Sequence, residues 1–216
     1  MRKAVTKLRG LFRKTPEQRY VNSVLNKIAR GAKHSTLGPQ IRDEAYTRGK
    51  AERWAEGLVE AGLKPQHLCV DYGCGSLWAA EPIINYLQPG CYYGLDLTDH
   101  FYAFGRQRIG DLLAEKKARL AVIGPASLRQ VAALQPDFIF SRKVLPHVKA
   151  DALPRYLANI ASLMTPKAIA VIDNYPIEAD GTITGREYDV RDLRPHLPDT
   201  LDAEQTPFAV IIHAKA

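Results

Sequence analysis

No stretch of this 216-residue chain approaches the roughly 20 consecutive apolar residues that a membrane-spanning helix needs, so no transmembrane segment is expected. The basic start, MRKAVTKLRG, is not followed by a long apolar core, so a secretory signal is not expected either. Cysteine is scarce. Cys69, Cys74 and Cys91 are the only three and have no zinc-ligand spacing, which points to reduced, buried thiols, with Cys74 the one candidate for a reactive role. Internal repeats and low-complexity segments are lacking, and the expected location is the cytoplasm. Acidic residues are nearly missing from the first 42 positions, where eleven Lys or Arg face Glu17 alone, a net charge of +10. The remainder holds nineteen basic and twenty-two acidic residues, a net charge of −3.

What is present fits one α/β domain, residues 66–216, preceded by a basic helical extension, residues 1–65; a 46% hydrophobic content supplies the core. Residues 1–14 place Val5, Leu8, Leu11 and Phe12 near one side of a helix ringed by Arg and Lys. Such a segment can lie on an anionic membrane surface or a polyanion, or remain a solvated arm, and an organellar transit peptide would share its Arg-rich, acid-poor character. Thr15-Pro16-Glu17-Gln18 has the pattern of a capped helix start, and that helix fades at Gly31. A break at Gly38-Pro39 precedes a second helix, 41–61.

The stretch from Cys69 to Leu97 organises the rest. A short apolar run, broken by Asp71, ends at Gly73-Cys74-Gly75, where two glycines allow a sharp turn and leave the backbone open to a ligand. Leu77, Ile83, Ile84 and Leu87 follow on one helical face, and a second strand carries Asp96 at its carboxyl end. An acid there, 23 residues beyond Gly73, is placed to accept hydrogen bonds from ribose hydroxyls. A dinucleotide-binding turn would want glycine at position 78, where Trp78 stands. Asp71 would also repel a pyrophosphate, whereas a cationic ligand would be attracted.

Beyond this unit, a helix from Thr98 to about Lys117 leads to strand 120–123, a short helix from Pro125, and strand 137–141. An amphipathic helix over 149–164 and strand 168–173 come next. An irregular stretch around Asp180-Gly181 and Gly185, a helix within 186–197, and a hairpin of 201–205 with 208–213 complete the chain. Strands alternating with helices imply a parallel sheet covered on both faces.

The pattern Val70-Asp71-Tyr72-Gly73-Cys74-Gly75-Ser76-Leu77 resembles the first motif of class I S-adenosylmethionine-dependent methyltransferases, and the segment from Pro136 to Val148 is similar to the fourth-strand motif of their small bacterial members. The resemblance implies a Rossmann-like, doubly wound, mostly parallel seven-stranded sheet with a C-terminal antiparallel hairpin, preceded by N-terminal helices. It implies S-adenosyl-L-methionine as cofactor: Gly73, Cys74 and Gly75 under its methionine portion, Asp71 near its amino group, and Asp96 and Leu97 beside its ribose. Ser141 would border the sulfonium and the acceptor. The acid that commonly follows the third strand is replaced by Gly124-Pro125-Ala126-Ser127, so backbone or Ser127 would meet the adenine.

Methyl transfer from a sulfonium is an in-line displacement, and the work left to the protein is holding the acceptor and removing its proton. His147, just past the fourth strand, is the candidate base, and Lys143 with Arg142 could neutralise an anionic acceptor. Asp173-Asn174 is half of a metal-binding pattern whose other acid is replaced by Ser141, so metal-free chemistry is expected. The leading reading is O-methylation of a small molecule or glycan. RNA or protein methylation, docked through the basic leader, and a non-catalytic cofactor-binding subunit remain open. Nucleobase methylation has the least support, because no Asn-Pro-Pro-aromatic motif follows the fourth strand.

Overall fold

Strand β1 (Cys69–Tyr72) is buried along its whole length, because parallel neighbours flank it and helices cover both of its faces. The computed structural model describes residues 14–31, 44–173, 188–207 and 209–215. Two helices come first, α1 (Pro16–Ala29) and α2 (Glu44–Glu60). Then follow β1, α3 (Ala80–Tyr86), β2 (Tyr92–Asp96), α4 (Asp99–Arg108), α5 (Gly110–Glu115), β3 (Arg119–Val122) and α6 (Pro125–Ala133). Strand β4 (Phe138–Ser141) leads through a 3-10 turn, Leu145–His147, to α7 (Leu153–Ala161) and β5 (Ile169–Ile172). The short helix α8 (Val190–Leu193) and the strands β6 (Leu201–Gln205) and β7 (Val210–Ala214) finish the chain.

The sheet order is β3-β2-β1-β4-β5-β7-β6; the first five strands run parallel, and β7 pairs antiparallel with both β5 and β6. This is the expected seven-stranded sheet with its closing hairpin. Strand parity divides the core in two. Val70, Tyr72, Ile139 and Ile172 face α7, whose Tyr156, Leu157 and Ile160 bury about 1.5–3 kcal/mol each. Cys69, Tyr92, Phe138 and Phe140 face the other way, against Leu58 of α2 and Ile83 and Ile84 of α3. Asp71 shares the parity of Cys69, so a carboxylate sits within the second face at 2% exposure.

Several boundaries differ from expectation, each for a local reason. Leu77 is not on a helix: it takes φ 61°, inside the turn, and α3 begins only at Ala80. The helix expected over 98–117 is two helices, α4 and α5, separated at Ile109, which leaves helical geometry at φ −121°. Helix α7 starts at Leu153 rather than Lys149, because Pro154 fits a first turn and not a helix interior. The third strand sits one residue earlier than expected, and β7 two residues later at its start. The Gly38-Pro39 break, residues 41–43, Asn174, the irregular stretch around Asp180 and Gly185, and Phe208 lie outside the described residues, as do residues 1–13 of the basic leader. Among the described residues no helix is long and apolar enough to cross a membrane.

Candidate functional site

The sheet order reverses between β1, which is followed by β2 on one side, and β4 on the other. A crevice opens at such a switch point, at the carboxyl ends of the strands. There the turn 73–77 departs from β1. Gly73 has φ 95°, and a Cβ on it would lie 2.2 Å from Cγ2 of Val144, so neither its conformation nor its space admits a side chain. The amides of Gly73 and Cys74 both donate to the Leu95 carbonyl, at 2.7 and 3.0 Å, which pins the turn to β2. Leu77 holds a left-handed conformation that costs a non-glycine residue about 1 kcal/mol, offset by its complete burial.

Asp96 stands at the end of β2. One carboxylate oxygen accepts from the Gly75 amide at 2.7 Å and the other from the Leu97 amide at 2.6 Å, so the acid fixes the turn against the strand. Asp71 accepts from the Tyr92 hydroxyl at 2.7 Å. Burial pushes the Asp71 carboxyl up to about 7; the Tyr92 hydrogen bond opposes the rise and the Asp96 charge adds to it. Burial likewise pushes Asp96 up to about 6 against the two backbone hydrogen bonds that lower it. Two desolvated acids at one turn make a floor that favours a cation.

Above this floor lies a cavity of about 1840 Å³. A single small-ligand site occupies roughly 300–1,000 Å³, so this one has room for two ligands side by side. Asp71, Gly73, Cys74, Gly75, Asp96, Leu97, Lys143 and His147 all line it. Ser141 does not. It is fully buried beneath the cavity, donating to the Tyr72 carbonyl at 2.8 Å and accepting from the Tyr156 hydroxyl at 2.8 Å, so it ties β4 to β1 and α7. Ser127 is also absent from the lining, since its hydroxyl is spent on Val122 and Gly124 at the start of α6, and Ile123, Gly124, Pro125 and Leu128 form that wall. Burial pushes the Cys74 thiol well above its ordinary value, which works against the reactive role considered for it.

Several contributors were not legible at residue level. Helix α1 lies along the cavity, with the Tyr20 ring 6.0 Å from that of His147 and 6.4 Å from that of Phe101. Ion pairs join α1 to the α7 region, Arg19 to Asp151 at 3.3 Å and Arg155 to Glu17 at 3.4 Å. Trp78 reaches the cavity with its indole stacked beneath the Arg108 guanidinium at 3.9 Å. Gly105 on α4 lets that helix approach the turn: a Cβ there would lie 2.4 Å from the Ser76 carbonyl oxygen. The only available sign was a glycine in mid-helix, which propensity does not explain.

A chain with this sheet order, a glycine turn after β1 and an acid at the end of β2 has solved counterparts. The fold is that of the class I S-adenosylmethionine-dependent methyltransferases. The structure of magnesium protoporphyrin IX methyltransferase from Synechocystis PCC 6803 with bound SAM superposes at a TM-score of 0.62 and 16% identity, covering 93% of this chain and 97% of that one. The pyocyanin biosynthetic protein PhzM gives 0.57 and 17%, covering 93% and 68%. An O-methyltransferase family protein from Burkholderia thailandensis gives 0.52 and 12%, covering 82% and 60%. No family model and no curated protein matches the sequence itself.

Proposed function

We propose that this chain is an S-adenosylmethionine-dependent methyltransferase acting on a small-molecule or glycan acceptor, at oxygen and without a metal. The observation that carries the reading is the floor of the cavity, where Asp71 and Asp96 flank a glycine turn in a desolvated setting. A pyrophosphate would add negative charge to that floor, whereas a sulfonium and an ammonium would offset the two carboxylates. The residues present therefore fit the group. Asp71 would face its cationic end, Gly73 to Gly75 would pass beneath it, and Asp96 with Leu97 would meet its ribose while still holding the turn. The bound sulfonium supplies an activated methyl group. His147, lining the cavity from the 3-10 turn, is assigned to take the proton of an acceptor hydroxyl as oxygen attacks. Lys143, two residues past β4, is assigned to orient the acceptor. The basic residues of 1–14 are read as contacting anionic membrane surfaces.

Calorimetric titration with S-adenosylmethionine tests this directly. Binding is expected at pH 8, weakening as pH falls through about 7 and then about 6, because Asp71 must release a proton to meet a cation and Asp96 must release one to accept from the ribose hydroxyls. The limit is tenfold per pH unit for each proton released. A response to a nicotinamide dinucleotide and none to S-adenosylmethionine would remove the assignment.

A further inference from the structure

The cavity has a second side, away from the acidic floor. Strand parity sends Asp71 to one face of the sheet and Tyr72 to the other, where the Tyr72 ring meets that of Tyr156 edge-on at 5.6 Å. The Tyr72 hydroxyl accepts from Asn159 Nδ2 of α7 at 2.9 Å, and both residues line the cavity. Ser141 holds the arrangement from beneath through its bonds to the Tyr72 carbonyl and the Tyr156 hydroxyl. Burial pushes the Tyr72 hydroxyl up to about 12, the Asn159 hydrogen bond opposing the rise and the Glu17 and Asp96 charges adding to it. At neutral pH the proton therefore stays on oxygen. Among the described residues no group accepts that proton, and none donates to Asn159 Oδ1. One donor and one acceptor thus stand side by side, each with a hydrogen bond still to make. The wall around them is apolar: Ile123, Leu128, Val144 and Val148 line the cavity and pack against the core cluster that contains Tyr72 and Tyr156. Polar partners set in an apolar wall favour a ligand that meets both and disfavour one that leaves either unmet.

We propose that Tyr72 and Asn159 form a subsite for the acceptor and hold an uncharged hydroxyl carried on an apolar skeleton. The Tyr72 hydroxyl donates to its oxygen, and Asn159 Oδ1 accepts its proton. This rests on reading the same cavity as a methyl-transfer site. The acidic floor suits the cationic ligand, which leaves the neutral side for its partner. An anion is disfavoured there by the Asn159 oxygen and by the Glu17 charge that reaches the Tyr72 hydroxyl. An ammonium is disfavoured too, because the Tyr72 proton points at it. A hydroxyl both accepts and donates, so it satisfies the pair without charge. Its proton rests on an amide oxygen, which is no base, so this hydroxyl is gripped and a second group on the same acceptor takes the methyl.

The test is proton–nitrogen NMR titration of the full chain with phenol, anisole, cyclohexanol and methoxycyclohexane. It is followed at the Asn159 side-chain amide, whose signal is assigned by its loss in Asn159→Leu. Each alcohol shares a skeleton with its ether, and the ether accepts but cannot donate. One alcohol or both should move the Asn159 signal and bind about tenfold or more tightly than the matching ether. The skeleton that shows this tells an aromatic acceptor from an aliphatic one. In the double variant Tyr72→Phe with Asn159→Leu, read at backbone amides of the cavity, the preference should fall below about threefold, with cooperative thermal unfolding as evidence of an intact fold. Asn159→Leu alone, which removes the acceptor oxygen, makes the same prediction should the double variant not fold. A smaller preference in the parent on both skeletons, an Asn159 signal that does not move, or a preference that survives substitution overturns the proposal. Calorimetric affinity for S-adenosylhomocysteine should change by less than about threefold in the variant; a larger change overturns the proposal as well and assigns the pair to the cofactor. Silence of the parent towards S-adenosylhomocysteine counts against the methyl-transfer reading, while the hydroxyl preference is still read from the cofactor-free titrations.

Discussion

Asp71 is a carboxylate placed where burial opposes its ionisation, and that conflict can be measured without any substrate. Its folded value is about 7 against an ordinary 3.8, so the folded state binds this proton more tightly than the unfolded state does. The stability it contributes is whole below about pH 4 and is lost as pH rises through about 7. Asp71→Asn keeps an oxygen for the Tyr92 hydroxyl and removes the charge. The variant should therefore melt higher than the parent above pH 7 in the absence of ligand, with the advantage growing between pH 4 and 7. The slope is at most about 1.4 kcal/mol per pH unit, or about 3 to 6 °C in Tm; scanning calorimetry that found the variant less stable at pH 8 would contradict the burial argument. Gly73 offers a second test at this scale. Gly73→Ala meets both a positive φ and the Val144 side chain, and the conformation alone should cost about 1–2 kcal/mol. Adding Val144→Ala should recover the part due to overlap and leave the part due to φ, which denaturant titration of the single and double variants separates.

At the scale of elements, α1 is attached by weak forces. It buries only Val24, and the ion pairs that hold it are partly exposed, of the kind worth about 0–1 kcal/mol each. Its own start is well made. Thr15 accepts from the Gln18 amide at 3.2 Å while the Gln18 side chain accepts from the Thr15 amide at 3.0 Å. Thr15→Ala should cost about 1 kcal/mol locally, read as amide exchange in 17–22 faster by about fivefold with the midpoint of global unfolding unchanged. Slower or equal exchange in the variant would show that α1 is held by its packing and not by its cap. The same local grammar made α1 legible in the sequence, whereas the place of α1 along the cavity was not, since Tyr20 and His147 are 127 residues apart and no local signal links them. Leu77 shows the opposite failure: its spacing suited a helix, but the close approach of α4 at Gly105 keeps the chain in a turn until Ala80.

For the whole molecule, the separation of charge between residues 1–42 and the rest predicts that two properties can be pulled apart. Removing residues 1–13 takes away five basic residues and leaves the Thr15 cap intact. S-adenosylmethionine affinity should stay within about twofold, while association with vesicles containing anionic lipid should fall about fivefold or more for each kcal/mol of lost attraction; vesicle binding equal to that of the full chain would remove the membrane reading. The sequence by itself determined the order of strands and helices, the glycine turn, the two acids at the ends of β1 and β2, and the closing hairpin. Each of these is written in local periodicity, turn chemistry or spacing, which neighbours in the chain enforce. Only the tertiary structure decided that Ser141 lies under the cavity rather than in it, that Asp96 divides its two oxygens between the Gly75 amide of the turn and the Leu97 amide, and that Arg142, just after β4, meets Lys50 of α2. Those facts depend on which strand packs beside which and on which face each side chain takes, and contacts between residues distant in the chain carry no periodicity from which they can be read.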